Sequence, residues 1–407
     1  MPELAHVAVV GGGPAGLMAA EVLATAGLAV TLFEHMPTVG RKLQVAGRGG
    51  LNLTHNEGRE AFLDRYGPSR AYLAAALEAF DPAALRAWAD GLGQPTFVGS
   101  SGRVFPESFR ATALLRAWLT RLASLGVELR TRHHWNGWTP EGALTFTDPT
   151  GDPLVVAADA SVLALGGASW PRTGSDGSWT APLRAAGIEV RPWRPANSGC
   201  IVGWSEVFSH RFAGTPVKDV TVGHRGTSAH GDLMITTDGL EGSPIYALCP
   251  ALRATLDAGT PARVELDLFP HATPAEVVAR LERRRPTDSV ATALARCGLS
   301  PVSIGLLREA TANRPPSAPG PLAALLQALP FSVTASQPIG RAISSAGGVA
   351  LSAVDQSAML RGRPGTFVAG EMLDWEAPTG GYLLQGAFST GVAAAEGVLA
   401  WLATLRR

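Results

Sequence analysis

Residues 6–34, HVAVVGGGPAGLMAAEVLATAGLAVTLFE, constrain the fold more than any other stretch of the chain. The run HVAVV is apolar without alternation, as suits a strand covered on both faces of a parallel sheet. Gly11, Gly13 and Gly16 follow at G-x-G-x-x-G spacing. Gly11 permits the tight turn, Gly13 lets a pyrophosphate approach the backbone, and Gly16 lets the next helix pack closely on the strand. Pro14 and Ala15 open that helix, where a missing proline N–H costs little. The helix is predicted to stop at Gly27, and a second strand, LAVTLFE, ends on Glu34. An acid there accepts hydrogen bonds from both hydroxyls of an adenosine ribose. Strand, fingerprint, helix, strand and acid in register predict an α/β fold that holds an ADP-containing dinucleotide. Glu34, in place of an arginine beside a small residue, argues against a 2′-phosphate and so against NADP at this turn. FAD and NAD stay open, because both present the same ADP half.

Composition excludes more than it selects. At 407 residues the chain is long enough for two domains or one with an insertion. Lys plus Arg (34) equal Asp plus Glu (34), so neither nucleic acid nor an anionic membrane is an expected partner. Cys200, Cys249 and Cys297 form no C-x-x-C pair and read as small buried hydrophobes. His133-His134 and His224/His230 lack a carboxylate or Cys at ligand spacing, so no metal is expected. Arg283 to Arg285 reads as a solvated helix C-terminus, and TANRPPSAPGP, 311–321, as a surface loop. A strand near residue 6 leaves no room for a secretory signal, and the apolar stretch Gly391 to Leu405 carries Glu396 and falls short of the roughly 20 residues of a spanning helix. A cytoplasmic protein is the expectation.

An NAD dehydrogenase would pass from Glu34 to further βαβ units. This chain supplies HMPTVGRKLQVAGRGGLNLTHNE, residues 35–57, which reads as a Gly- and Arg-rich loop beginning at His35. Backbone N–H groups of such a loop, with Arg41 and Lys42, can wrap a diphosphate and the flavin end of FAD. The segment resembles that of the BaiN/YhiN-type NAD(P)/FAD-dependent oxidoreductases, flavoproteins of the two-dinucleotide-domain fold. Gly40, Arg41, Lys42 and Leu43 match their G-R-K-L. Of their G-G-G-R-C-N, Gly47, Gly49 and Asn52 are kept, whereas Gly50-Leu51 stand in place of Arg-Cys, removing a thiol from beside the flavin.

The resemblance continues along the chain. GRVFPESFRATALLRAWLTRL, 102–122, resembles the family's G-R-x-F-P segment and following helix, and ASVLALGGASWPRTGSDG, 160–177, its strand into a glycine turn, here Gly166-Gly167. GTFVAGEMLDWEAPTGGYLLQGAFSTG, 365–391, resembles its most distinctive motif, with Gly370, Glu371, Gly380, Gly381, Tyr382 and Gln385 in the matching places. That segment also has a physical reading: a buried strand, a small-residue turn, then a helix whose N-terminus suits the partial negative charge of a reduced flavin. The resemblance implies FAD as cofactor and a Rossmann-like FAD-binding fold of the two-dinucleotide-domain type, with an inserted mixed domain of strands and then helices. The expected division is 1–192 with 340–407 for the FAD domain and 193–339 for an inserted substrate or cap domain. TPAEVVARLERRR, 273–285, reads as a helix in the insert, capped by Thr273 with Pro274 in its first turn.

No second strand–fingerprint–helix unit stands in mid-chain, so either NAD(P)H binds transiently in the substrate's cleft as electron donor, or the donor is something else. The resemblance implies reduction of a small unsaturated or carbonyl substrate, in one branch the double bond of a steroid-like enone. Hydride then goes to the β-carbon while an acid protonates the α-carbon or the carbonyl oxygen. Tyr382, beside the glycine turn, is the candidate proton donor or oxygen binder, and Arg103 the candidate for polarising a carbonyl or holding a carboxylate. Two other readings compete: a flavin-bound redox sensor or structural flavoprotein without turnover, and a flavin-dependent tRNA-modifying transferase. The charge balance and the missing loop cysteine count against the transferase.

Overall fold

The computed structural model describes residues 4–47, 49–285 and 287–405. They fall into two compact units, one holding the described residues up to Arg194 and from Ser344 onward, the other Pro195–Ile343.

The first unit is built on a five-stranded sheet in the order Thr366–Val368, Ala160–Leu163, His6–Val10, Ala29–Glu34 and Glu128–Thr131. All four pairings are parallel, which accounts for the unalternated apolar strands. Val10 is flanked by Leu163 and Phe33 in register, so three strands end together where Gly11 begins its turn. The helix Pro14–Thr25 packs against the last helix, Tyr382–Leu405, with Leu17, Leu23, Phe388 and Val398 wholly buried between sheet and helices. Truncating one of those leucines to alanine costs about 2–5 kcal/mol in such a core. The two helices approach closely because Gly391 lacks a side chain: a Cβ there would lie 2.4 Å from the Ala15 carbonyl oxygen.

The last helix starts directly after the Gly380-Gly381 turn, where the sequence puts it, and is longer than the apolar stretch 391–405. It is 24 residues long, and by length and composition alone it could cross a membrane. Gln385, Ser389 and Thr390 interrupt the apolar run in the sequence, yet all three are buried and hydrogen-bonded. In this fold it is a core helix.

Two small three-stranded antiparallel sheets also belong to the unit. His134–Trp138, Leu144–Thr147 and Pro153–Val156 form one, and Thr54–His55, Arg103–Pro106 and Thr96–Val98 the other. The segment after His55 is helical at Arg59–Asp64, Arg70–Ala79 and Pro82–Gly91.

The second unit carries a seven-stranded antiparallel sheet: Leu329–Val333, Ala262–Asp267, Pro216–His224, Thr227–Ile235, Gly239–Gly242, Cys200–Ile201 and Ala335–Ser336. Here the strands do alternate. Ala262, Val264 and Leu266 are buried while Arg263 and Glu265 face solvent, as a sheet with one wet face requires. Helices cover the dry side, among them Ser243–Asp257 and Pro274–Glu282, the latter closed by a capping box between Thr273 and Glu276. The stretch 311–321 is not wholly loop, since Pro319 begins the helix Pro319–Gln327. A proline in the first helical turn loses no hydrogen bond, so the run of prolines ends in a helix start.

Candidate active site

The fingerprint turn is set by backbone geometry. Gly11 adopts φ +110°, and its N–H donates to the Phe33 carbonyl at 2.7 Å. A Cβ on Gly16 would sit 1.9 Å from the Gly11 carbonyl oxygen, so only glycine lets the helix start this close to the strand. Gly13 differs: nothing lies within 4 Å of the position its Cβ would take. That open space faces a helix start with no side-chain cap, where the first-turn N–H groups lack intrahelical partners. The Glu34 carboxylate is fixed beside it, accepting from the N–H of Gly12 at 2.8 Å and of Met36 at 2.7 Å. His35 Nδ1 lies 3.2 Å from Glu34 Oε1, and this hydrogen bond raises the histidine's pKa.

The segment after His35 is less of a loop than its glycines suggest. Gly40 turns through φ +68° into a short helix, Arg41–Ala46. Leu43 points its side chain into the hydrophobic core. Lys42 also departs from expectation. Its ammonium donates to Glu371 Oε2 at 2.6 Å and Ser169 Oγ at 2.7 Å, because a part-buried amine needs an anion close by. Glu371 in turn accepts from the N–H and Oγ of Ser345, at 2.8 and 3.0 Å. This hub ties the GRKL helix, the turn after Gly166-Gly167 and the Gly370 turn together, so Lys42 and Glu371 brace the site. Arg41 is left to bind: its contacts to Thr38 and to the Arg172 carbonyl are long, 3.4 and 3.5 Å, and its buried Nε has no partner.

The distant ends of the unit meet at the fingerprint. A Cβ on Gly370 would come within 2.8 Å of the Ala15 methyl, and one on Gly381 within 2.5 Å of the Thr54 backbone. Asn52, two residues before Thr54, keeps a buried Oδ1 with no partner, and Gly49 faces open space, whereas Gly47 packs on Ala111. Gln385 is turned away from this region, donating to the Phe80 carbonyl and to Ser389 Oγ.

His55 and Arg103 pair across the small sheet, next to the start of the last helix. Arg103 Nε lies 3.9 Å from the place of a Gly380 Cβ, and its guanidinium has no hydrogen bond or ion pair among the described residues. Tyr382 is engaged instead. Its hydroxyl donates to Glu57 Oε1 at 2.6 Å, and Glu57 accepts two more bonds from Arg65, at 2.7 and 3.0 Å. Burial first, and then the Glu57 bond, push the Tyr382 phenol well above its ordinary pKa, while Arg65 holds Glu57 below its own. A phenol in that position is a poor acid, since losing its proton would leave two anions in contact.

Sequence reasoning missed His55, Glu57 and Arg65. The His55 ring stacks on Tyr382 with centroids 5.4 Å apart. Its Nε2 faces the Ser101 carbonyl at 3.0 Å and must carry the proton, so Nδ1, buried and without a partner, is a free acceptor. The aromatic residues Phe97, Phe105 and Phe109 cluster nearby, with Phe109 half exposed.

The model of the HI0933-like protein Rossmann domain matches residues 5–397. The chain belongs to this family. Over 409 aligned residues it is 26% identical to a 3-dehydro-bile acid delta(4,6)-reductase of Clostridium scindens, covering 95% of this chain and 97% of that protein. The 3-ketosteroid-delta4-(5alpha)-dehydrogenase of Rhodococcus jostii RHA1, solved with 4-androstene-3,17-dione, aligns over 98% of this chain and 96% of its own, at 16% identity and a TM-score of 0.51. The 3-ketosteroid delta1-dehydrogenase of Sterolibacterium denitrificans aligns over 97% and 99%, at 13% identity and 0.53. These likenesses at low identity reflect a shared fold. As a member of this family the chain is an FAD-dependent oxidoreductase. The residues present fit that cofactor: the open cradle at Gly13, the fixed Glu34 carboxylate, and the buried unpartnered Arg41 Nε and Asn52 Oδ1 are what a dinucleotide needs.

Proposed function

We propose that this chain reduces the carbon–carbon double bond of a largely apolar enone, with NAD(P)H as a transient electron donor. The observation that carries the reading is Arg103, a guanidinium beside the Gly380-Gly381 turn without a partner among the described residues. Glu34 holds the adenosine ribose of FAD, the N-terminal turn of Pro14–Thr25 its diphosphate, and Arg41, Asn52 and the Gly380-Gly381 turn its flavin end. Bound FAD supplies hydride transfer between a nicotinamide donor and an activated double bond. Arg103 binds the enone's carbonyl oxygen, where negative charge grows as the β-carbon is reduced; a donor with no competing acceptor is worth most there. His55 Nδ1 accepts a hydrogen bond from a water and so positions it at the α-carbon; the proton this water gives up is replaced from bulk solvent, which supplies the H+ consumed with each NAD(P)H. Tyr382 keeps its own proton on Glu57 and positions the His55 ring.

The apolar substrate class rests on the aromatic cluster. Phe105 follows Arg103 by two residues, so both side chains project from one face of the strand. A Cβ on Gly50 would meet Phe109 at 3.2 Å and Phe105 at 3.7 Å. Gly50-Leu51, which replace the family's Arg-Cys, therefore leave an apolar wall where that pattern puts a charge. The name of the bile acid reductase relative supports the same class.

The test is anaerobic mixing of the purified yellow protein with NADH or NADPH, followed by 4-androstene-3,17-dione. Loss of oxidised-flavin absorbance with one nicotinamide, and its return on adding the enone, is the expected result. No bleaching by either donor refutes the nicotinamide. Bleaching without return refutes the enone and favours a redox sensor.

A further inference from the structure

The second unit brings together three residues that no spacing in the sequence connects. Asp219, His230 and His271 offer one carboxylate oxygen and two imidazole nitrogens, all within 4.8 Å of one another. His230 Nε2 lies 3.1 Å and His271 Nε2 3.0 Å from Asp219 Oδ1. From this geometry we infer a transition-metal site, of the zinc(II) or nickel(II) class, on the exposed face of the second unit's sheet.

The local structure is shaped for it. The ladder between Pro216–His224 and Thr227–Ile235 slips between Val217 and Val220, and Asp219 sits in that bulge at φ +57°, an uncommon conformation for a residue other than glycine. The bulge turns the carboxylate toward the histidines. It is pinned from behind, where the Asp219 N–H donates to Asp232 Oδ1 at 3.0 Å and Lys218 holds the other oxygen of Asp232 at 2.5 Å. His230 and Thr221 are directly paired, and Thr221 Oγ1 lies 3.2 Å from His230 Nδ1. Once Nε2 takes a metal, the imidazole proton moves to Nδ1 and Thr221 accepts it, fixing the tautomer as ligand-bearing histidines require. His271 arrives from the turn after Ala262–Asp267, 52 residues from Asp219.

Tetrahedral ligands around zinc stand about 3.3 Å apart, given bonds of roughly 2.0–2.1 Å. The two imidazole-to-carboxylate distances reach that spacing by an opening of a few tenths of an ångström, and the two imidazole nitrogens lie within 4.8 Å of each other. Two imidazoles and one carboxylate suit zinc, nickel or copper, whereas magnesium and calcium want oxygen alone. With three protein ligands on an exposed face, the remaining positions go to water. The metal would clip the turn at His271 to the bulged hairpin. Sequence alone argued against a metal because His230 was read with His224. That histidine is buried, bonded to the Arg263 carbonyl and Thr255, and takes no part.

Calorimetric titration of the full-length holoprotein with zinc chloride tests the site. The expected result is one equivalent bound per chain, weakened at least tenfold in His271→Ala and in Asp219→Asn, and about tenfold in Thr221→Val. Asparagine tolerates the left-handed backbone, so Asp219→Asn keeps the bulge. An unchanged metal-free melting temperature and flavin content show that each variant is folded. Zinc bound equally by the wild type and by a His230→Ala/His271→Ala double variant, or by neither, overturns the site.

Discussion

At the fingerprint turn the acid and the turn itself are tied down, whereas the first-turn N–H groups of the helix stand open. Glu34 accepts from two backbone N–H groups and pairs with His35, and the turn itself is held by Gly11 and the Phe33 carbonyl. At the rim formed by His55, Arg103 and Asn52 the reverse holds: a guanidinium, an imidazole nitrogen and an amide oxygen stand without partners among the described residues. The contrast separates two tasks. A dinucleotide's handle is always the same shape, so a preset backbone and one fixed acid recognise it. A reacting carbonyl develops charge during the reaction, so it needs donors that no internal acceptor has already claimed.

The largest expected effect breaks the fingerprint side. Gly16→Val forces a side chain against the Gly11 carbonyl, and flavin bound per chain should fall more than tenfold, read from visible absorbance of the purified protein. Full retention would mean the helix start is not what holds the cofactor. On the rim, Tyr382→Phe removes one hydrogen bond and leaves Glu57 paired with Arg65. Turnover should drop less than tenfold, and stability by about 1 kcal/mol, the net worth of one such bond. A hundredfold fall in turnover would make Tyr382 the proton donor and erase the distinction between engaged and free groups.

The smallest effect lies with His35. The Glu34 bond raises its pKa, so the charged pair stabilises the fold fully below about pH 6.5 and fades as pH rises through the raised folded value. Both partners keep some solvent contact, which limits the contribution to under about 1 kcal/mol. Urea midpoints of wild type and His35→Gln should differ at pH 6 and converge by pH 9. A gap that widens with pH contradicts the assignment.

What the sequence made legible is what is local. The strand, fingerprint, helix and Glu34 occupy one stretch of 29 contiguous positions, 6–34, and each residue type there has one physical job. Lys42 and Glu371 are 329 residues apart, so nothing in the sequence could say that the lysine is already neutralised. His55 carries no motif, and its part in the rim depends on the Arg103 register and on the Tyr382 ring above it. Glu57 and Arg65 read as ordinary surface charges until the last helix brings Tyr382 to them. The apolar stretch Gly391 to Leu405 understates the length of the last helix, because the polar residues that interrupt its pattern nearer the start are satisfied by loop carbonyls and by its own backbone.

In the proposed reading, Arg103 acts on the substrate and the fingerprint on the cofactor. Rapid mixing of Arg103→Ala separates them, because reduction of the flavin by the nicotinamide and its reoxidation by 4-androstene-3,17-dione are read as two steps. The account predicts normal flavin content, a reduction rate within about threefold of wild type, and reoxidation slowed roughly a hundredfold or more, the usual cost of losing one oxyanion donor. Both steps slowed alike, or neither slowed, would contradict it.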